Sequence, residues 1–455
     1  MKKVDVLVLG GGAGGLSVAA GAAYMGLSVT LIAPQPMGGD CLHFGCIPSK
    51  SLLHAAKNGW PWLETHAHIQ STISSIQPHD SQARFEQLGI HVVAGEGRLT
   101  GVREVTTISG EVFRGRYVVL ATGSSPRTHR ACHGLKIPQK LNNQSFWNAI
   151  KERQLSGRVA ILGGGAMALE MAEALVGMGH EVIMICRGDL LGSSSASLKH
   201  YLTNYILGLG VQLLKNTEVT HVEQTDEVLT IKLSNGQTCE VEHILEAMGR
   251  EVSWEGLGLQ NILRKPPLVD PFLRVGKLPW LFAVGDVSGA PMSTHAAAYE
   301  ASVVLKNILG IMPWLRRRGS MPQAIYLKDE ILLVGSMPHE LEESSRPYMV
   351  LQPERPSDRA LTECRKSFAE LYICPRTDRI LGAALMFPAA SLLAPWLDDL
   401  INKKRSVAEL MKPVIPYPSD AELLSMMARQ RQARKLTPWV KTFLRVLVRQ
   451  PVKFG

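Results

Sequence analysis

Residues 4–9, VDVLVL, form a short apolar run that stops at three glycines, and the same order of events returns near residue 158. After the first run, residues 13–26 are small and apolar, as suits a helix packed closely on a sheet, and residues 28–33, SVTLIA, read as a second strand. In the second copy RVAIL, residues 158–162, leads into GGGAMALEMAEALVGMG and then EVIMIC, residues 181–186. Strand, glycine-rich turn, helix, strand, given twice, predicts an α/β protein with two Rossmann-like dinucleotide-binding units. Strand-like pieces lie between them at 90–94 and 116–121, the latter running into Ala121-Thr122-Gly123. A further strand at 280–284 ends in Gly285-Asp286 and precedes a helical stretch over 293–309. The texture changes at 312–324, with Pro313, Arg316-Arg317-Arg318, Gly319 and Pro322, which marks a domain boundary. Residues 325–430 alternate short strands and helices and predict an α+β domain.

At 455 residues the chain is too long for one ordinary core, so two to four domains are expected. The glycines explain what two of them hold. In Gly10-x-Gly12-x-x-Gly15 the first glycine allows a tight turn, the second lets backbone approach a pyrophosphate, and the third lets helix and strand close together. Gly163-x-Gly165-x-x-Ala168 repeats the pattern with alanine in third place. The acid that should close each second strand on a ribose is missing: Ala33 stands in the first copy, with Gln35 as a substitute candidate, and Cys186 in the second. Arg187, next to Cys186, is a candidate partner for a 2′-phosphate, so NADH and NADPH both stay open.

Seven cysteines over this length do not make a secreted disulfide scaffold, and only Cys41 and Cys46 are close in sequence. They sit in Gly38-Gly39-Asp40-Cys41-Leu42-His43-Phe44-Gly45-Cys46-Ile47-Pro48-Ser49-Lys50. Five residues of ideal helix separate two sulfurs too far to bridge, so a distorted first turn is expected, with Gly45 and Pro48 supplying the irregularity. A helix start would also favour a thiolate. No second Cys/His pair stands at zinc spacing, and no metal site is expected.

With these residues the chain resembles the class I pyridine nucleotide–disulfide oxidoreductases, the family of dihydrolipoamide dehydrogenase, glutathione reductase and mercuric reductase. Further matches fall in family order at ATG 121–123, GGGAMALE 163–170, AMGR 247–250 and AVGDV 283–287. The resemblance covers about residues 1–430. It implies an FAD domain in two parts (1–140 and 269–318), an inserted NAD(P) domain (141–268), a C-terminal α+β dimerisation domain (319–430) and a homodimer. Cys46 then matches the flavin-facing cysteine, Cys41 the interchange cysteine, Lys50 and Glu170 an ion pair near the flavin, and Asp286 the carboxylate on the FAD ribitol. Cofactor contacts are implied at Gly10, Gly12, Gly15, Lys50, Thr122, Gly123, Gly163, Gly165, Ala168, Arg187, Gly249, Gly285 and Asp286.

The family's His-Pro and following Glu become Tyr417-Pro418 and Glu422 here, and an unperturbed tyrosine is a poor base at neutral pH. The adjacent C-terminal cysteines of mercuric reductases are not found, which argues against mercury as substrate. Charge adds one more feature. The net charge is +9, and residues 401–455 hold 12 Lys and Arg against 3 Asp and Glu, so the body is neutral and no nucleic acid is expected. Residues 431–455 form a basic tail in which Thr437-Pro438 should start a helix and Pro451 stop it. Trp439, Val440, Phe443, Leu444, Val446, Leu447 and Val448 share one face, Lys441, Thr442, Arg445 and Arg449 the other. That is the pattern of an interfacial helix at a membrane surface through residues 437–450, and equally of a helix docked on the protein's own body. No apolar stretch reaches the roughly 20 residues that cross a bilayer, and the start reads as strand and turn rather than signal peptide, so a cytoplasmic protein, peripheral on the inner membrane face if the tail binds lipid, is expected.

The leading functional reading is an FAD-dependent NAD(P)H:disulfide oxidoreductase acting on a small-molecule or protein disulfide. Two others stay open: a membrane-associated NAD(P)H dehydrogenase that reduces a quinone or metal ion, and a flavin-binding assembly subunit without enzymatic activity.

Overall fold

A computed structural model describes residues 1–151, 155–225, 228–264, 267–289, 291–310, 315–318 and 320–448, and in it the first apolar run becomes the strand Lys2–Leu9. This strand runs parallel to Val29–Ala33 on one side and Val112–Leu120 on the other, and the sheet extends to His91–Ala94 and Leu281–Ala283, also parallel. Val6 and Val8 enter one core and Leu7 and Leu9 the other, which is why residues 6–9 are apolar at every position instead of alternating. The helices Ala13–Tyr24 and Thr294–Ile308 cover the first of these cores. They approach so closely that a Cβ on Gly21 would lie 2.4 Å from Leu305 Cδ1, so the small residues of the first helix are a packing requirement.

The second repeat builds a five-stranded parallel sheet in the order Gln212–Lys215, Glu181–Cys186, Arg158–Leu162, His243–Glu246, Lys140–Leu141. The helix Ala166–Gly177 follows its glycine turn. A two-stranded antiparallel ribbon, Ser125–Pro126 with Arg250–Glu251, stands where the chain leaves the first sheet and returns from the second. Two antiparallel additions had no counterpart in the sequence reading: the hairpin Gly97–Gly101/Glu104–Thr107, and the small sheet Val219–Gln224, Leu229–Leu233, Thr238–Val241.

The chain divides into two compact units, residues 1–190 with 206–319, and residues 191–205 with 320–455. The second unit carries a five-stranded antiparallel sheet ordered Gln323–Ile325, Glu330–Gly335, Ile380–Phe387, Phe368–Ile373, Met349–Leu351. Leu397 and Leu400 of helix Ala394–Asn402, and Leu423, Leu424 and Met427 of helix Glu422–Lys435, pack against its Leu371, Ile373 and Leu385. Helix Pro438–Val448 follows. Pro313, Gly319, Arg449, Gln450 and Pro451 lie outside the described residues.

Candidate active site

The two glycine turns are built alike. Gly10 has φ +111, and a Cβ there would lie 2.2 Å from Ala121 O; Gly163 has φ +129, and a Cβ there would lie 2.4 Å from Ala247 O. In each case the glycine presses on the chain leaving the neighbouring parallel strand, a fit open to no other residue. A Cβ on Gly15 would meet Gly10 O at 2.0 Å, so the third glycine of the first turn seats its helix on the turn. Ala168, in the equivalent place, is fully buried. The middle glycines differ in kind. Gly12 and Gly165 cap their helices without any side-chain hydrogen bond, neither helix has an acid in its first turn, and a Cβ on Gly165 would meet nothing within 4 Å. Both helix N-termini therefore present open amides and positive dipole ends, as a pyrophosphate requires. Thr122 and Gly123 follow Ala121 beside the first turn. Gly285 is held there by its amide, which donates to buried Glu300 at 2.8 Å.

The cysteines lie on two helices, not one. Cys41 belongs to Gly39–His43, Cys46 opens Cys46–Lys57, and the break falls at Gly45. A Cβ on Gly45 would come within 3.0 Å of Asp40 O and 3.3 Å of Cys41 Cα, so glycine lets the chain fold back on itself there. Pro48, in the first turn of the second helix, loses no internal hydrogen bond. Both are free cysteines, where a disulfide was expected, and each lies near enough to perturb the acidity of the other. Thr294 Oγ1 donates to Cys41 Sγ at 2.9 Å and lies 3.7 Å from Cys46 Sγ. The effect of each cysteine on the other splits their acidities. Cys46, accepting from Cys41 and helped by the Lys50 charge, is brought down to about 6. Cys41, donating to Cys46 and partly buried, is pushed well above the usual thiol range. The sign is that of a depressed acid: Cys46 is thiolate above about pH 6 and protonated below. In reduced, flavin-free protein, iodoacetamide labelling of the Cys46 peptide, followed by mass spectrometry, should rise through a midpoint near 6, and a midpoint in the ordinary thiol range near 8.5 contradicts this assignment.

Lys50, one turn beyond Cys46, reaches both oxygens of Glu170 at 2.7 and 3.0 Å. The helices Cys46–Lys57 and Ala166–Gly177 pack against each other, with Gly177 against Ala56, and so bring the two residues together. Glu170 is almost wholly buried and Lys50 about one-third exposed, so the carboxylate fixes the ammonium and leaves it accessible. Asp286 accepts from Ser124 Oγ and lies 3.4 Å from Arg250 Nε. Arg250 also donates to Ser124 O at 2.6 Å and to the Asp40 carboxylate. It thus ties the residue before Cys41 to the Gly285-Asp286 turn. Sequence reasoning missed Thr294, Arg250, Ser124, Asp40 and Glu300. Arg250 closes the AMGR string, next to Gly249 at φ +92, and its position there was the one available signal.

On the second turn, Cys186 is buried and donates to Gly163 O at 3.2 Å, its thiol pushed up to about 11 by burial. It closes the turn from behind and is no ribose ligand. Arg187 is exposed, 3.9 Å from Glu218. Lys215 pairs in register with Cys186 and makes a 3.1 Å ion pair with Asp189, so a second cation sits at the same strand ends. Tyr417 and Glu422, expected as an acting pair, share one neighbour, Asp358. Exposed Tyr417 bonds to Asp358, whose negative charge raises the phenol, while Glu422 accepts the Asp358 amide at 2.7 Å. Both belong to the second unit.

Residues 4–301 match a family model described as pyridine nucleotide-disulphide oxidoreductase. Over 463 residues the chain is 27% identical to a dihydrolipoyl dehydrogenase of Buchnera aphidicola, covering 93% of this chain and 94% of the relative. It is 25% identical over 470 residues to dihydrolipoyl dehydrogenase 3 of Pseudomonas putida, covering 94% and 98%. Among solved structures, the Cu(II) complex of the HOCl-induced flavoprotein disulfide reductase RclA of Escherichia coli matches with a TM-score of 0.84 at 20% identity, over 94% of this chain and 100% of that one. LpdA of Mycobacterium tuberculosis matches with a TM-score of 0.82 at 22% identity, over 95% and 100%.

Proposed function

The chain belongs to the pyridine nucleotide-disulphide oxidoreductase family, and on that premise we propose that it is an FAD-dependent NAD(P)H:disulfide oxidoreductase whose working dithiol is Cys41 and Cys46. Membership makes it an oxidoreductase and sets aside the reading as a non-enzymatic assembly subunit. The observation that carries the finer reading is the convergence of the Cys41 and Cys46 sulfurs on Thr294 Oγ1, at 2.9 and 3.7 Å, beside an ammonium held by a buried carboxylate. FAD fits the open helix N-terminus at Gly12, with Gly10, Gly15, Thr122, Gly123, Gly285 and Asp286 around it. A nicotinamide dinucleotide fits the equivalent site at Gly163, Gly165 and Ala168, with Gly249 and Arg187. Bound there, the flavin supplies the exchange of a nicotinamide hydride for a pair of electrons delivered to a disulfide. Residues 1–140 and 269–318 would then form the FAD domain, 141–268 the NAD(P) domain and 319–430 the dimerisation domain of a cytoplasmic homodimer.

The remaining steps belong to the chain. Cys41, once deprotonated, attacks one sulfur of a substrate disulfide and releases the first thiolate. Cys46 attacks the Cys41 sulfur, releases the second thiolate and closes the Cys41–Cys46 bond. The Cys41 proton passes to the Cys46 thiolate as Cys41 attacks and from there to the first leaving thiolate, so that Cys46 is a thiolate again when it attacks the Cys41 sulfur. Lys50 keeps positive charge beside Cys46 throughout. Tyr417, raised further by Asp358, stays protonated at neutral pH and can donate but not accept a proton. Oxidation of a dithiol, which must shed two protons, is therefore disfavoured relative to reduction of disulfides whose thiols leave as thiolates. Turnover with NADH and NADPH, measured on lipoamide, glutathione disulfide and an aromatic disulfide, should be fastest on the aromatic one. If no disulfide is turned over while a quinone is, the proposal fails. That second reading, reduction of a quinone or metal ion at a membrane, is favoured by one observation, the exposed tail helix.

A further inference from the structure

The helix Pro438–Val448 carries most of its described apolar side chains into solvent. Trp439, Val446 and Val448 are 75%, 55% and 84% exposed, and Phe443 and Leu444 about half. Trp439 and Phe443, one turn apart, stack with centroids 5.9 Å apart and 8° between their planes. The helix is well started. Thr437 Oγ1 accepts the Val440 amide at 3.4 Å, and Thr437 O accepts the Lys441 amide at 2.9 Å. The preceding helix Glu422–Lys435 is fixed to the second unit, with Leu423, Leu424 and Met427 in its core and Arg431 and Lys435 both on buried Asp378. The apolar face is therefore displayed at the end of an anchored strut. Of the two destinations the sequence left open, the described residues do not place this face against the protein's own body.

We propose that this helix lies in the headgroup layer of an anionic lipid bilayer, with Trp439, Phe443 and Leu444 inserted and Lys441 and Arg445 on the phosphates. The inference goes beyond the disulfide reading and does not depend on which acceptor the enzyme reduces. Charge complementarity selects the occupant. After Glu422 the chain has no acidic residue, while Arg429, Arg431, Arg434, Lys435, Lys441, Arg445, Arg449 and Lys453 are basic. A second copy of this face would bring Lys441 and Arg445 against their own kind, whereas anionic lipid neutralises them. Eleven helical residues span only about 16 Å, far short of a bilayer but suited to lying in its surface. Among the described residues no helix is long and apolar enough to cross a membrane.

Co-sedimentation of the full flavin-loaded chain tests this with vesicles of phosphatidylcholine alone and of phosphatidylcholine mixed with phosphatidylglycerol. Partition should be at least about tenfold stronger onto the anionic vesicles, at roughly fivefold per basic residue engaged. It should weaken sharply as salt rises from about 0.1 to 1 M and the screening length shrinks. The double variants W439S/F443S and K441E/R445E, each with unchanged flavin content and melting temperature, should each lose at least about tenfold in partition. Equal recovery on both vesicle types, no recovery on either, or variants that bind as tightly as the parent all overturn the proposal. So does a fall in solution mass of W439S/F443S by light scattering without a change in lipid binding, which would make a second copy the occupant.

Discussion

Cys46→Ser protein is expected to lose NAD(P)H-dependent disulfide reduction by about 10³-fold or more, because serine can neither resolve a mixed disulfide nor carry the electron pair. The loss should come with two gains that general damage would not produce. Cys41 owes its raised position first to the hydrogen bond with Cys46 and then to burial and the neighbouring charge. Serine removes the charge and weakens the bond, so Cys41 should drop towards the ordinary thiol range and be alkylated faster at pH 7 than in the parent. Freed of its resolving partner, it should also accumulate as a mixed disulfide, seen by intact mass as an adduct of one half-substrate. Cys46 is exposed and makes no core contact, so melting temperature should hardly move. Direct reduction of a quinone that survives the substitution at parental rate, with disulfide turnover also unchanged, would remove the dithiol from the mechanism.

The parts of this fold that the sequence disclosed are those in which one physical demand acts on neighbouring residues. Parallel strands are apolar throughout where both faces are buried, so residues 6–9, 159–162 and 182–186 stood out, each stopped by its turn or strand end. Val219–Gln224 exposes two of every three residues and carries Thr220, His221, Glu223 and Gln224, so its strand character is lost among polar side chains until Leu229–Leu233 covers its other edge. The site divides the same way. Glycine turns and the cysteine segment write their chemistry into a dozen consecutive residues. Thr294 meets Cys41 across 253 positions and Arg250 meets Asp40 across 210, and no local pattern reports such a meeting. The helix break at Gly45 was legible as a need for irregularity, but not as two helices, because that depends on the close approach to Asp40 and Cys41. The part of Asp358 beside Tyr417 and Glu422 could not be read at all, since it lies some 60 residues upstream.

The acids missing from both ribose positions have a common structural basis. A Cβ on Gly11 would lie 2.8 Å from Ala33 Cβ, and one on Gly164 would lie 3.2 Å from Cys186 Sγ. In each unit the strand end has turned its side chain under the glycine loop, where a carboxylate would be buried without a partner. Gln35 in the first unit, and Arg187 with Lys215 in the second, are left as the exposed groups at those strand ends.

Gly165→Ala separates nicotinamide binding from everything else the second unit does. Gly165 has φ −86, an angle alanine adopts freely, and a Cβ there would touch nothing within 4 Å, so the substitution should cost no more than about 1 kcal/mol as a helix-cap change. The same methyl would project in front of the open amides of helix Ala166–Gly177, where a pyrophosphate has to approach within hydrogen-bonding distance. KM for the preferred nicotinamide dinucleotide should therefore rise at least about tenfold, the equivalent of roughly 1.4 kcal/mol of lost binding. Flavin content, melting temperature and the exchange of chemically reduced enzyme with a disulfide should stay at parental values. Gly163→Ala is the contrasting case. Its Cβ would sit 2.4 Å from Ala247 O at φ +129, so both the turn and the strand end must shift, and the variant should unfold at markedly lower temperature before any binding effect can be read. A Gly165→Ala enzyme with unchanged KM for both NADH and NADPH would mean that the pyrophosphate does not sit on this helix, whatever the cysteines do.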